Sequence, residues 1–89
     1  MPRRTLDIVN KLGLHARAAA QFVKVAGAYG ARVSIEKDGQ SVDGKSIMAV
    51  MMLAAAKGSQ ITVETEGADA DAALDAIADL VADRFGEED

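Results

Sequence analysis

Residues 31–43, Ala-Arg-Val-Ser-Ile-Glu-Lys-Asp-Gly-Gln-Ser-Val-Asp, carry the strongest fold signal in this chain of 89 residues. Apolar and polar side chains alternate on both sides of Asp38-Gly39, with Val33, Ile35 and Val42 at the inward positions. This period of two is typical of half-buried strands. The Asp-Gly pair favours a type I′ turn, because both central residues of that turn need a positive φ. The stretch therefore predicts a β-hairpin with strands at 31–37 and 40–43.

The sequence on either side of the hairpin predicts two more strands and three helices. Alternating side chains predict the strands, and apolar side chains at helical spacing predict the helices. The predicted strands are 4–10 and 60–66, and the predicted helices are 16–28, 47–53 and 70–85. The element order is therefore βαββαβα. Short, half-polar strands favour an antiparallel sheet with one covered face. We expect one domain over residues 1–89, an α+β two-layer open-faced sandwich in which three helices cover one face of a four-stranded antiparallel sheet.

Several residues are expected to mark the ends of these helices. Ser46 and Asp69 stand where an N-cap side chain is needed for the second and third helices. Gly30 suits the left-handed position that closes the first helix. Residues 87–89, Glu-Glu-Asp, are expected to fray beyond the last helix.

The composition excludes several classes of protein. The absence of Cys removes disulfides, iron–sulfur clusters and thiolate zinc sites, and a single His leaves a transition metal short of ligands. We therefore expect no metal and no cofactor. No apolar run is long enough to span a membrane, and the first residues lack the apolar segment of a signal peptide, so a cytoplasmic protein is expected.

The charge is unevenly distributed. Residues 1–63 carry nine basic and four acidic side chains, a balance of +5, while residues 64–89 carry one basic and ten acidic side chains, a balance of −9. The net charge of −4 and the aromatic content of 3% argue against nucleic-acid binding. The uneven distribution predicts a basic docking side on an acidic scaffold.

Four carboxylates recur every fourth residue in the last helix, and we interpret them as a solvated face: Asp71, Asp75, Asp79 and Asp83.

The stretch Gly13-Leu14-His15-Ala16-Arg17 places the single histidine at the junction of a loop and a helix. Free N–H groups and the macrodipole make a helix start an anion site. Arg17 adds a positive charge that suits phosphate. A neutral imidazole here can attack phosphorus, and the resulting phosphoramidate is labile enough to pass the phosphoryl group on. The alternative is a solvated histidine beside a helix cap.

A second stretch, Gly44-Lys45-Ser46-Ile47-Met48, leads into an almost continuously apolar helix. Ser46 is either an ordinary N-cap or a hydroxyl whose phosphorylation the helix dipole would favour. A short helix buries only one face, so part of residues 47–53 is expected to be exposed. Methionines are adaptable on surfaces that bind several partners. The alternative is that all these side chains lie in the core.

Together the two stretches resemble the signatures of the HPr family, the phosphocarriers of the bacterial phosphoenolpyruvate:sugar phosphotransferase system. The first resembles the phosphohistidine motif, and the second, continued by Leu53 and Lys57-Gly58, resembles the regulatory serine signature. The length and the element order are also similar. Ala18 stands where many sugar-type members have proline. The alanine-rich sequence here is more similar to the nitrogen-related, regulatory branch.

The resemblance implies roles for individual residues. His15 would accept a phosphoryl group from enzyme I on Nδ1, assisted by Arg17, and pass it to IIA-type acceptors. Ser46 would be the target of an HPr kinase/phosphorylase. Docking would use the remaining candidate residues: Ala16, Ala20, Ile47, Met48 and Met51. Such a protein is a relay, expected to be monomeric, rather than a turnover enzyme.

Two alternatives belong to other classes of protein. A regulatory protein that only binds partners would use Ser46 as its switch and keep His15 as a vestige. A small acidic carrier such as an acyl carrier protein is all-helical, which the strand pattern contradicts.

Overall fold

The computed structural model describes residues 2–87, in which four strands form one antiparallel sheet. The strands are β1 (Arg3–Asp7), β2 (Arg32–Lys37), β3 (Gln40–Asp43) and β4 (Gln60–Glu66), and their order across the sheet is β1-β4-β2-β3. Three helices accompany them: α1 (Ala16–Gly27), α2 (Ile47–Met52) and α3 (Ala70–Ala82). A short 3-10 turn, Arg84–Gly86, follows α3 and is called the C-terminal turn below. The predicted α+β open-faced sandwich is confirmed.

The β2–β3 hairpin has the turn that the sequence predicts. Asp38 and Gly39 both take positive φ values, 53° and 84°. Lys37 pairs with Gln40, and Ile35 pairs with Val42 on the covered face. An aspartate tolerates this left-handed conformation better than most residues, and glycine adopts it freely.

The core lies between the sheet and the helices. Val33 and Ile35 on β2 and Ile61 and Val63 on β4 are almost completely buried. The helices supply the opposite wall of the core with these buried side chains: Ala18, Ala19, Phe22, Val50, Leu74, Ile77 and Val81. The other face of the sheet is polar, and there the Thr5 and Thr62 hydroxyl oxygens lie 3.2 Å apart. One covered face and one polar face are what the alternating strands require.

The expected helix caps are partly wrong. Gly30 does not take a positive φ, and α1 ends instead on Ala28, which keeps a right-handed conformation. Asp69 makes no side-chain hydrogen bond to its own helix. Its Oδ2 instead accepts the Gly30 N–H at 2.9 Å. A tertiary contact therefore replaces both of the expected local caps.

Two predicted elements end three residues earlier than expected. The strand predicted at 4–10 ends at Asp7, although Ile8 continues its hydrogen bonding with the N–H of Gly58 and the carbonyl of Ser59. Helix α3 ends at Ala82 because Arg84 and Phe85 take left-handed φ values of 57° and 56°.

Among residues 2–87, none of the helices combines the length and apolarity that a membrane crossing needs. The same part of the chain contains no group of three or more His, Cys, Asp or Glu side chains arranged to hold a metal ion.

Candidate functional site

The loop before α1 is fixed by Gly13. Its φ is +67°, and a Cβ at this position would lie 2.4 Å from the Ala55 carbonyl oxygen. The next residue, Leu14, donates its N–H to the same oxygen at 2.8 Å. This close contact between backbones requires a residue without a side chain. It holds the start of α1 against the segment that follows α2.

His15 is the N-cap residue of α1. Its backbone is extended, with φ −77° and ψ −179°, and its carbonyl accepts the Ala19 N–H at 2.8 Å. The ring Nδ1 accepts the Arg17 N–H at 3.3 Å, and the side chain is 28% exposed. The first N–H groups of a helix have no acceptor within it. The ring therefore lies over donors that can bind an anion, as the sequence predicts.

The other ring nitrogen of His15 contacts Glu87, which the sequence does not mark as a site residue. Nε2 donates a hydrogen bond to the Glu87 carboxylate. Asn10 Nδ2 donates to the other oxygen of Glu87 at 3.0 Å and to the Gly13 carbonyl at 2.8 Å. Glu87 was expected to fray, and this expectation is wrong. Residues 88 and 89 lie outside the described residues.

The C-terminal turn brings Glu87 to the ring. Arg84, Phe85 and Gly86 have successive positive φ values of 57°, 56° and 79°, and Phe85 is buried. The available sequence signal was an apolar residue followed by glycine, which is typical of a turn anchored on the core. That signal indicates a chain reversal but does not indicate which residue the chain returns to.

The electrostatics of the site centre on Glu87. Hydrogen bonds from His15 and Asn10 hold the pKa of the Glu87 carboxyl below its ordinary value of 4.5, against a smaller opposing effect of burial. The charges of His15 and Arg17 lower this pKa further. The carboxylate is therefore ionised at neutral pH and faces the ring as an acceptor only.

The site opens to the surface as a shallow depression of about 500 Å³. Its lining consists of Leu12, His15, Ala16, Arg17 and Glu87. The structure thus brings His15 and Arg17 together, as predicted, and adds Glu87 on the opposite side of the ring.

Helix α2 presents most of its apolar side chains to solvent. Val50 is its buried residue, whereas Met48 is 75% exposed and Met52 is 69% exposed. Ile47 and Met51 are also exposed. Helix α1 packs beside α2, and Ala16 and Ala20 on α1 are exposed. We call the five candidate docking residues the apolar patch: Ala16, Ala20, Ile47, Met48 and Met51.

Ser46 is the N-cap of α2, as predicted. Its Oγ accepts the Ala49 N–H at 3.3 Å. The two residues before it have structural roles. Lys45 Nζ donates to the Tyr29 carbonyl at 2.8 Å, just beyond the end of α1. A Cβ at Gly44 would lie 2.6 Å from a methyl carbon of Val33. The second motif therefore joins α2 to the body of the protein.

Comparison with known proteins identifies the family of this site. A family model described as "PTS HPr component phosphorylation site" matches residues 2–83. The chain belongs to the HPr family. It is 56% identical over 88 residues to the phosphocarrier protein HPr of Pseudomonas aeruginosa, covering 98% of both chains. A crystal structure of HPr from Thermoanaerobacter tengcongensis aligns with a TM-score of 0.95 and 42% identity, covering 99% of both chains. A crystal structure of an HPr dimer from the same organism aligns with a TM-score of 0.78 and 41% identity, covering 98% of this chain and 100% of that chain.

Membership of the HPr family settles the function at the level of class. The protein is a phosphocarrier of the phosphotransferase system, and the alternative of a regulatory protein that only binds partners is not favoured.

Proposed function

We propose that His15 is the residue that carries the phosphoryl group, on Nδ1. The observation that supports this most directly is the arrangement around the ring. Nδ1 faces the Arg17 N–H at the start of α1, while Nε2 is hydrogen-bonded to Glu87. A phosphoryl group on Nδ1 would lie at the positive end of a 12-residue helix, beside the Arg17 side chain in the same depression. Backbone N–H groups and a guanidinium both stabilise phosphate oxygens.

The transfer is a substitution at phosphorus. The Nδ1 lone pair forms the N–P bond as the bond to the donor breaks, and the electron pair of that bond stays with the donor. We propose phosphorylated enzyme I as the donor and IIA-type proteins as acceptors. Both must reach the same nitrogen, and the site is a surface depression that allows this. A relay of this kind has no turnover of its own, and we propose one cytoplasmic domain over residues 1–89.

We propose that the apolar patch is the docking surface for both partners. Exposed large apolar side chains on a small protein usually mark an interaction site. Met48 is the most exposed of the large apolar side chains in the patch, and Ala16 belongs both to the patch and to the His15 depression. A partner seated on α2 and the start of α1 would therefore reach the ring.

We propose that Ser46 is a regulatory phosphorylation site for a kinase of the HPr kinase/phosphorylase type. Ser46 directly precedes Ile47 and Met48 of the apolar patch. A phosphate there would have to lose water when a partner binds, which is costly. A Ser46→Asp variant should accept phosphate from enzyme I more slowly than wild type. A Ser46→Ala variant should keep the wild-type rate. Equal rates for wild type and Ser46→Asp would refute this role.

A relay that alternates between two partners favours a monomer, because a second copy seated on the apolar patch would block both. Light scattering coupled to size-exclusion chromatography should give the monomer mass. A dimer that Met48→Asp converts to the monomer mass would show that a second copy covers the apolar patch, and would contradict docking through an open patch.

The phosphorelay is tested by incubating the protein with phosphoenolpyruvate and enzyme I. We expect one acid-labile phosphate per chain and none in His15→Ala. An acid-labile phosphate that persists in His15→Ala would exclude His15 as the acceptor. Circular dichroism provides the folding control for the variant.

A further inference from the structure

We infer that Glu87 is a positioning residue for His15, which keeps the proton on Nε2 and the lone pair on Nδ1. It also faces the positive charge that the ring gains when phosphorus bonds to Nδ1. This inference deepens the phosphorelay and rests on the proposed role of His15 as acceptor. In this respect Glu87 would do for a phosphoryl-accepting histidine what a buried carboxylate does for a histidine that acts as a general base.

The hydrogen bonds on the two sides of the ring select the same tautomer. The ionised Glu87 carboxylate can only accept, so Nε2 must carry the hydrogen. The Arg17 N–H can only donate, so Nδ1 must supply the lone pair. Which nitrogen of a histidine is protonated is set by the hydrogen bonds that both nitrogens make. The two contacts are independent, since one comes from the α1 backbone and the other from a residue 72 positions away.

Glu87 is itself held in place from two directions. The C-terminal turn carries it back to the site, and Phe85 anchors that turn in the core. Asn10, which is fully buried, donates to Glu87 and to the Gly13 carbonyl through the same amide nitrogen. The Glu87 side chain is only 14% exposed. A carboxylate fixed in this way differs from the frayed, solvated glutamate that its place near the chain end would suggest.

The segments that hold Glu87 against His15 contain two energetically unfavourable features. Arg84 and Phe85 are not glycines and yet have left-handed φ values, which strain the backbone. Asn10 Oδ1 is buried, and no hydrogen-bond partner for it is found among the described residues. Such features persist where the surrounding structure enforces them, and they are enriched at functional sites. Both of them lie in the segments that hold Glu87.

The chemistry follows from the tautomer. When Nδ1 attacks phosphorus, the N–P bond forms and the donor's bond to phosphorus breaks, with its electron pair staying on the donor. No proton has to leave, because the Nε2–H stays in place and the ring becomes a cation. The Glu87 carboxylate then faces that cation through a charge-assisted hydrogen bond. When the acceptor attacks phosphorus, the N–P electron pair returns to Nδ1 and the ring is neutral again.

Histidine labelled with ¹⁵N tests the tautomer directly, because the chain has a single His and gives one ring signal pair. The spectra are recorded at alkaline pH, with the imidazole neutral. Wild type should show the Nε2–H tautomer. Glu87→Ala should shift both ring nitrogens towards the averaged values of a mixed population. Its rate of phosphoryl acceptance from enzyme I should fall about tenfold, the factor that one hydrogen bond to a charged group is worth.

Two further variants separate orientation from charge. Glu87→Gln retains an amide oxygen that can accept from Nε2–H, so it should keep the wild-type ¹⁵N pattern but lose rate. Asp79→Asn removes an equal charge from the exposed face of α3, in a groove beside Lys24 and Ala28, and should change neither readout. Circular dichroism and the melting temperature verify that each variant is folded.

The outcomes distinguish this inference from the relay on which it rests. If Glu87→Ala keeps the wild-type tautomer, the positioning role is wrong, whatever happens to the rate. If the tautomer shifts but the transfer rate does not, Glu87 orients the ring without serving the reaction, and the inference is again overturned. If wild type accepts no phosphate while Glu87→Ala still shifts the tautomer, the relay fails and the effect of Glu87 on the ring stands.

Discussion

Single backbone positions set the geometry of the His15 site, and Gly13 is the strictest of them. It combines a left-handed φ with contact to the Ala55 carbonyl, so any side chain would meet both strain and a clash. Gly27, the last residue of α1, differs in both respects. It has no positive φ, and an added Cβ there would meet nothing within 4 Å.

Gly13→Ala should therefore destabilise the protein by about 3 kcal/mol, the sum of a left-handed alanine and a displaced loop. It should also slow phosphoryl acceptance, because the loop positions His15. Gly27→Ala is the matched control and should be neutral or stabilising by about 0.5 kcal/mol. Urea unfolding measures both changes. A Gly13→Ala variant as stable as wild type would show that the loop relaxes away from Ala55.

The lowered pKa of Glu87 predicts how the stability of the folded protein depends on pH. Its folded-state pKa lies below 4.5 because His15 and Asn10 donate hydrogen bonds to it. A depressed carboxyl pKa stabilises the folded state above the unfolded pKa, and this contribution is lost as the pH falls through the folded value. Wild type should therefore be more stable than Glu87→Gln at neutral pH. The difference should shrink as the pH drops below 4.5.

Urea unfolding of both proteins across this pH range provides the measurement. Asp79→Asn, measured alongside, accounts for the general effect of removing one negative charge. A stability difference between wild type and Glu87→Gln that stays constant with pH would mean that the Glu87 carboxyl titrates alike in the folded and unfolded states.

Glu87 is also the site residue that could not be predicted from the sequence. His15 and Arg17 could be predicted because helix starts and the residue types that bind phosphate follow local rules. Glu87 could not, because its role depends on a turn with three successive left-handed residues and on a contact across 72 positions. Nothing in the pattern Glu-Glu-Asp separates an ordered glutamate from a frayed one.

At the scale of elements, α2 has the least support of its own. It has six residues, which is too short for a stable isolated helix. It is held by the Ser46 cap, by Val50 in the core and by Leu53 just beyond its end, while its methionines face solvent. Its stability and its proposed docking role therefore depend on different side chains.

Val50→Ala and Met48→Ala should separate these two roles. Val50→Ala removes fully buried methyl groups and should cost about 2 kcal/mol. Met48→Ala changes an exposed side chain and should alter the free energy of unfolding by less than about 0.5 kcal/mol. Met48→Ala should nevertheless weaken binding to enzyme I. Urea unfolding and calorimetric titration measure the two effects, and unchanged affinity in Met48→Ala would remove Met48 from the docking surface.

The elements themselves could be predicted where the signal is local. The Asp38-Gly39 turn and the Ser46 cap each depend on residues within four positions, and both were found. The end of α1 and the start of α3 could not be predicted, because Asp69 caps Gly30 across 39 positions rather than its own helix. The end of β1 could not be predicted either, since buried Asn10 serves the site rather than a strand.

At the scale of the whole molecule, the structure shows which of the basic side chains are available to a partner. Not every basic residue of the +5 segment is available to a partner. Lys45 is bound to the Tyr29 carbonyl, and Arg4 pairs with Asp75 on α3. Arg17 lines the His15 depression, and exposed Lys57 follows the segment on which Gly13 rests. The basic charge near the site is therefore local, on a molecule whose net charge is −4.

A local basic surface should speed the approach of acidic, phosphate-bearing partners without adding much to the final affinity. The association rate with phosphorylated enzyme I should fall several-fold as NaCl rises from about 50 mM to about 500 mM, because the Debye length shrinks over this range.

Lys57→Gln should lower the rate at low salt and flatten its salt dependence. Lys37→Gln removes the same charge from the β2–β3 hairpin, where Lys37 pairs with Asp38, and should leave the association rate near wild type. Stopped-flow fluorescence measures these rates. If both variants slow association equally, the net charge rather than the surface beside His15 steers the partner.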